Sequence, residues 1–410
     1  MISSTTSNVA NSNNNLAERL LASVILGAVG DAIGYRNGAW EFNFDGETIH
    51  AELKHYYGSL AGIDVKGWRV SDDTVMHLAS LRALITWMKQ ARNAANSDKT
   101  LVYSFDENNV ESCAKFMSDF VDPLMQEMSK EYIICWDDMG GRAPGPTCGK
   151  GVRFLESRGV EKWNLYPYDK RGGGCGGSMR AMSIGAAISG VERRDMLIAC
   201  SVESGRLTHN HPNGFLGSLV SALFTAYAIE QTIPVPQWGV YFLYDIMPRT
   251  RTYLQKVAKR DWEEMKEEIT KFEQKIAQYL SERGLFLSEE DFKNSQKLNA
   301  LSAQFPKKYG IAERDEYYKK WSFAGWAGAS GDDSCIIAYD ALLCAGPNNY
   351  EKMMLHSALH AGDSDSTGTI AAAWYGAIYG FNNVFKSNWD NIEKKKEMTQ
   401  ISEDLFTLYY

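Results

Sequence analysis

Two acidic clusters, Ser71-Asp72-Asp73-Thr74 and Gly362-Asp363-Ser364-Asp365-Ser366-Thr367, stand far apart in the chain, each opening a segment with helical apolar spacing. Asp and Ser offer only oxygen donors, and neither cluster contains Cys or His, so together they suit Mg²⁺, Mn²⁺ or Ca²⁺ better than zinc. A fold that unites them sets four carboxylates against one another at roughly 4 kcal/mol per close pair for an effective dielectric near 20. Two divalent ions would cancel that charge. Taken singly, each cluster also reads as an ordinary helix start, with Ser71 a favourable N-cap and carboxylates attracted to the free amides of a first turn.

Two glycine-rich loops, Gly140-Gly141-Arg142-Ala143-Pro144-Gly145 and Gly172-Gly173-Gly174-Cys175-Gly176-Gly177-Ser178, expose successive backbone amides. Such loops cradle phosphate or simply make tight turns. Neither has P-loop spacing, and neither follows a clear strand as a dinucleotide fingerprint requires, which excludes kinase-type and Rossmann readings. His356 and His360 share one helical face and could hold zinc, but Ser357 stands where an HExxH motif has its glutamate. His209 and His211, in Thr208-His209-Asn210-His211-Pro212, read first as residues of a helix start. Cys175 is a candidate nucleophile with no His near it in sequence.

The elements that must position these groups are helical. Apolar residues recur at three- and four-residue spacing in 16–34, 74–91, 110–128, 178–190, 194–204, 212–230, 251–283, 334–346, 350–361 and 366–381. Only 47–57 and 131–136 read as short extended pieces, and 251–283 reads as one amphipathic surface helix. The predicted fold class is all-α. Small residues in Gly27-Ala28-Val29-Gly30-Asp31-Ala32 and around Ala371, Gly376 and Gly380 predict close approach of helix backbones.

With 410 residues and 44% hydrophobic content, the chain can bury one large core, and a single domain over 16–410 is expected after a floppy polar tail at 1–15. A net charge of −8 argues against a nucleic-acid surface. No stretch reads as a membrane span, and seven Cys without a CxxC pair fit free thiols in a reducing compartment, so a soluble, cytoplasmic protein is expected.

In order along the chain, Gly27 to Tyr35, Trp40-Glu41-Phe42, Trp68 to His77, Gly174 to Met182, Glu203 to His209, Gly325 to Gly331 and Gly362 to Thr367 resemble the signatures of the ADP-ribosylglycohydrolase family, closest to its ADP-ribosylarginine hydrolase branch. The resemblance covers about 17–385. It implies an all-α, compact orthogonal helical bundle with a binuclear Mg²⁺ centre, hydrolysing the N-glycosidic bond between ADP-ribose and arginine in mono-ADP-ribosylated proteins, with ADP-ribose as product and the enzyme a monomer. It further implies Ser71, Asp72, Asp73, Asp363, Asp365 and Ser366 as metal ligands, with Asp72 and Asp73 catalytic. Glu41 would sit at the cleft, while Gly141, Arg142 and Gly145 with Gly174, Gly176, Gly177, Ser178 and Met179 would line the pyrophosphate and ribose. His209 would lie beside the adenosine, and Gly325 and Trp326 on the leaving-group side. Alternatives are a sister enzyme acting on ADP-ribosylserine or O-acetyl-ADP-ribose, or an inactive ADP-ribose-binding relative.

Overall fold

The computed structural model describes residues 3–97 and 101–410, with side chains from Asn15 onward. The stretch 1–15, expected as a tail, therefore lies almost entirely outside the described side chains. In chain order the longer helices are α1 (Ser3–Tyr35), α2 (Gly46–Tyr57), α3 (Asp72–Ala95), α4 (Val110–Phe116), α5 (Asp122–Cys135), α6 (Pro146–Arg158), α7 (Met182–Ala187) and α8 (Arg194–Arg206). The second half adds α9 (Pro212–Glu230), α10 (Met247–Thr252), α11 (Trp262–Glu282), α12 (Ile311–Trp321), α13 (Gly331–Ala345), α14 (Tyr350–Ser357), α15 (Ser364–Tyr379) and α16 (Lys395–Tyr409). The described residues contain no strand, only two isolated antiparallel bridges, Asn43 with Gly362 and Gly174 with Ser330. The fold is all-α, as the periodicity predicts.

The first and fifteenth helices form the spine, and glycine makes their contact possible. A Cβ on Gly30 would lie 2.1 Å from the carbonyl oxygen of Gly368, one on Gly34 would lie 2.5 Å from that of Ser364, and one on Gly376 would meet the backbone of Ala22 at 2.5 Å. These neighbours are backbone atoms that no rotamer change can move. Gly30→Ala is therefore expected to destabilise the protein by about 2 kcal/mol, overriding the helix propensity that alanine adds, because α1 and α15 must separate. Denaturant unfolding of the variant checks this, and unchanged stability would refute the packing argument.

Around the spine runs one contiguous hydrophobic core, reaching from Leu20 in α1 to Tyr409 in α16. Helix α9 crosses its middle and is buried almost throughout. Against the sequence expectation, α9 is long and apolar enough to cross a membrane, but 94% of its apolar window is covered by neighbouring helices.

Three local expectations need correction. Residues 47–57 are not extended but form α2: Asp45 caps it by accepting from Thr48 N–H at 3.1 Å, Gly58 ends it at φ 74°, and Ile49 and Leu53 bury one turn apart. Residues 131–136 continue α5 into a 3₁₀ turn, because Leu124, Met128, Tyr132 and Cys135 share its buried face. The supposed helix 251–283 breaks at Lys259 and Asp261, both left-handed (φ 54° and 57°). Tyr253, Leu254 and Val257 go into the core before the break, and only α11, with Met265, Ile269, Phe272 and Ile276 on its inner face, keeps the predicted amphipathic form.

Candidate active site

One buried side chain on α1 sets the position of α3. Asp31 is fully buried and accepts hydrogen bonds from Ser71 N–H at 2.9 Å, Thr74 N–H at 3.1 Å and the Thr74 hydroxyl. It thus takes up free amides of the α3 N-terminus, while the Ser71 hydroxyl accepts from Asp73 N–H at 3.1 Å as the N-cap. Burial raises the Asp31 carboxyl to about 6 despite these bonds. One turn further along α1, Gly34 seats the start of α15. The same short stretch of α1 therefore places both acidic clusters. Helix α15 reaches the first cluster directly: the Thr369 hydroxyl lies 3.5 Å from Asp73 Oδ2.

A third segment adds a carboxylate. Trp40 is buried, Phe42 N–H donates to the Gly362 carbonyl at 2.7 Å, and between them Glu41 is held over the Asp363 turn. Oxygens of Glu41, Asp363 and Asp365 lie within 4.8 Å of one another. At an effective dielectric near 20, each such pair repels by about 3.5 kcal/mol at that distance. Burial, then Asp363, Asp72 and Asp31, push Glu41 up to about 9. Asp72 is raised by burial, Asp31 and Asp363, Asp73 by burial, Asp72, Asp31, Asp363 and Glu41, and Asp365 by burial, Glu41, Asp73 and Asp363. None of the ion pairs among the described residues joins this group to Lys or Arg; Arg142, whose carbonyl accepts from Asp72 N–H, pairs with Asp138 and Glu393. Converging hard-oxygen donors without a protein counter-charge fit a divalent cation.

These acids floor a cleft of about 310 Å³. Of the predicted site residues, Glu41, Asp72, Asp73, Gly145, Gly174, Gly176, Met179, His209, Trp326, Asp363 and Ser366 line it. Asp365 belongs to the carboxylate group, and Ser71 is fully buried behind it as the α3 cap. The others stand outside the cleft lining. The Arg142 guanidinium turns away to Asp138, Glu393 and the Val70 carbonyl, while its own carbonyl accepts from Asp72 N–H at 3.1 Å. Gly141, at φ 76°, accepts from the Tyr35 hydroxyl. Gly177 packs on the Gly214 carbonyl, and Ser178 bonds Cys175 O and the Ser334 hydroxyl. Gly325 lines an adjoining hollow of about 410 Å³ that shares Trp326 with the cleft.

The glycine loops do supply amide-rich walls. Gly145 precedes Pro146, the first residue of α6, and the Cys175–Gly177 turn abuts the start of α13, with Cys175 N–H donating to Ala329 O at 3.0 Å. The family-like Gly325 to Gly331 stretch braces the metal-type turn from outside: Asp363 N–H donates to Ala327 O at 2.8 Å, and a Cβ on Gly328 (φ 96°) would strike the Asp363 carbonyl at 2.6 Å. Phe42 and Phe44 pack on Trp326, with centroids 5.2 and 5.5 Å apart, as a half-exposed aromatic rim.

Sequence reasoning missed Asp31, because nothing local marks a carboxylate that works on amides 40 residues later. It also missed that the acidic site is not purely an oxygen environment: Cys175 Sγ lies 3.2 Å from Asp363 Oδ2 and 3.6 Å from Ser366 Oγ. Burial and the neighbouring Asp363 and Asp73 raise that thiol well above its ordinary range, which speaks against a thiolate nucleophile. The zinc reading of His356 and His360 has no support in the packing. His360 is bonded to Thr367 Oγ1 at 2.7 Å and Ala361 O at 3.1 Å, while His356 stacks on Tyr309.

A model of the ADP-ribosylglycohydrolase family matches residues 12–410. ADP-ribosylhydrolase ARH1 of Dictyostelium discoideum is 37% identical over 398 residues, covering 95% of this chain and 93% of its own. A putative ADP-ribosyl glycohydrolase, L444, of Acanthamoeba polyphaga mimivirus is 29% identical over 385 residues, which is 91% of this chain but 66% of the viral protein. A solved structure described as an ADP-ribosylglycohydrolase-related protein complex shares the fold, with a TM-score of 0.53 at 16% identity over 97% of this chain and 100% of that one. Matched across both acidic segments, the spine that joins them and the cleft they floor, this chain belongs to the ADP-ribosylglycohydrolase family.

Proposed function

We propose that this protein is a Mg²⁺-dependent hydrolase that cleaves the bond between ADP-ribose and arginine side chains of mono-ADP-ribosylated proteins. The observation that carries the reading is the single cleft in which carboxylates from α3, α15 and the Glu41 loop converge without a basic partner. The 37% identity to a protein named ADP-ribosylhydrolase ARH1 supports it. Glu41, Asp72, Asp73, Asp363, Asp365 and Ser366 would hold two Mg²⁺ ions, with Ser71 fixing the turn that carries Asp72 and Asp73. Bound there, the ions would neutralise the acids and polarise the ribose end of the ligand.

The chain's own groups have separable tasks. Backbone amides at the start of α6 and those of Gly174 and Gly176 receive the diphosphate without a lysine. An Asp72 or Asp73 carboxylate oxygen takes a proton from the attacking water as that water's oxygen bonds to the ribose C1. As the C1–N bond breaks, the electron pair goes to the guanidinium nitrogen, which leaves as neutral guanidine and needs no strong acid. Oxocarbenium-like charge on the ribose is offset by the carboxylates around it.

The aromatic rim of Phe42, Phe44 and Trp326 favours arginine over serine, because flat ring faces attract a planar cation. Incubating the protein and Mg²⁺ with peptides ADP-ribosylated on arginine or on serine tests this by release of ADP-ribose. Release from the arginine peptide is expected. Release from the serine peptide alone would establish the sister activity, and no release from either would indicate an inactive binder.

A further inference from the structure

We infer that Arg180 and Thr208 act as positioning residues that hold His209 in one neutral tautomer, with its Nε2–H presented to the cleft as a fixed hydrogen-bond donor for an acceptor atom of the ligand. That the ligand is ADP-ribose rests on the function proposed above. The tautomer does not.

The relay begins at Arg180. Its side chain is fully buried, and no ion pair among the described residues pairs it with a carboxylate. The guanidinium lies 4.6 Å over the Tyr132 ring, and one terminal nitrogen donates to Ser204 O at 2.8 Å and Thr208 Oγ1 at 2.9 Å. A guanidinium has donors only and stays charged, so the Thr208 hydroxyl must accept from it. The same oxygen lies 2.8 Å from His209 Nδ1. Thr208 is fully buried, and its hydroxyl has no third partner among the described residues. If Nδ1 carried the proton, the hydroxyl would accept twice and its own hydrogen would be left buried without an acceptor, a costly arrangement. Instead the hydroxyl donates to Nδ1, and the imidazole proton resides on Nε2.

The opposite edge of the ring is open to ligand. His209 lines the cleft beneath the glycine turn, where a Cβ on Gly174 would stand 3.3 Å from Nε2 and one on Gly176 would stand 3.1 Å from it and 2.5 Å from Cε1. Nε2 has no protein hydrogen-bond partner among the described residues, and the glycines keep side chains from covering it. Burial and the adjacent Arg180 charge push the imidazole down to about 3, which agrees with a ring that remains neutral. A second network fixes the peptide that carries it: Arg206 Nε donates to Asn210 Oδ1 at 2.9 Å, and Arg206 is paired with Glu203 and Asp261.

Long-range ¹H–¹⁵N correlation spectra of the full-length, ¹⁵N-histidine-labelled protein, with His209→Gln to assign the signal, read the tautomer without ligand. Only the Nε2–H form is expected in the wild type and in Thr208→Ser, which keeps the hydroxyl. Thr208→Val, which keeps the shape and removes it, is expected to show mixed tautomers and to bind ADP-ribose about tenfold more weakly, with Thr208→Ser within about twofold of wild type. An Nδ1–H or doubly protonated His209 in the wild type at neutral pH would overturn the relay, as would a valine variant with unchanged tautomer and affinity. Failure of the wild type to bind ADP-ribose, with the Nε2–H form present, would overturn the proposed function and leave the relay standing.

Discussion

Asp72→Asn and Asp73→Asn are each expected to lower turnover at least ~100-fold, about 2.7 kcal/mol of lost transition-state stabilisation, while the protein stays folded. Asparagine keeps the size of the side chain and can still occupy the first turn of α3, whose cap and amide partners are Ser71 and Asp31. What it removes is a charge that the surrounding acids oppose, since Asp72 and Asp73 are each pushed up by burial, by Asp31 and by Asp363. In chelator, then, the variants should be at least as stable as the wild type, which separates lost chemistry from lost folding. ADP-ribose release and denaturant unfolding, measured on the same preparations, check both halves. Near-normal turnover in both variants would refute their assignment.

The second large effect concerns stability against pH with and without divalent cation. Glu41, Asp72, Asp73 and Asp365 all have raised folded-state pKa values, Glu41 up to about 9. Between the unfolded carboxylate range near ~4 and those raised values, the native state binds more protons than the unfolded chain. Stability in chelator is therefore greatest at the low end of that window and falls as pH rises through it. A bound cation replaces the protons as counter-charge. At about 100 times its dissociation constant, Mg²⁺ adds roughly 2.7 kcal/mol. Thermal unfolding should show a melting temperature that drops from pH 5 to pH 8 in chelator, and a Mg²⁺-induced rise that grows over the same interval. A chelated protein whose stability is flat across that range, with no response to Mg²⁺, would contradict the carboxylate account.

Both starting points of the site were legible as helix starts because each is encoded locally: Ser71 caps α3, and Asp363 stands at the N-terminus of α15. The small residues in 27–32 and around Ala371, Gly376 and Gly380 likewise announced close helix contact, and the structure places those helices against one another. Contributions that depend on a partner distant in sequence were not legible. Asp31 carries no local signal of its task, yet it holds the α3 amides. Cys175 had no histidine nearby in sequence but lies against Asp363 in space. Arg142 had the charge for a phosphate contact and turns instead to Glu393, 251 residues on. Local pattern also misled where two periods compete, as in 47–57, whose alternation suggested an extended piece while Ile49 and Leu53 share one helix face.

In the proposed enzyme α3 and α15 jointly grip divalent ions. Anomalous scattering from crystals grown with Mn²⁺ in place of Mg²⁺ tests it most directly. Manganese peaks are expected in the cleft with oxygen ligands at about 2.0–2.6 Å drawn from both the Asp72-Asp73 and the Asp363-Asp365 segments. Peaks bound by only one of those segments, or a cleft without manganese at saturating concentration, would contradict it.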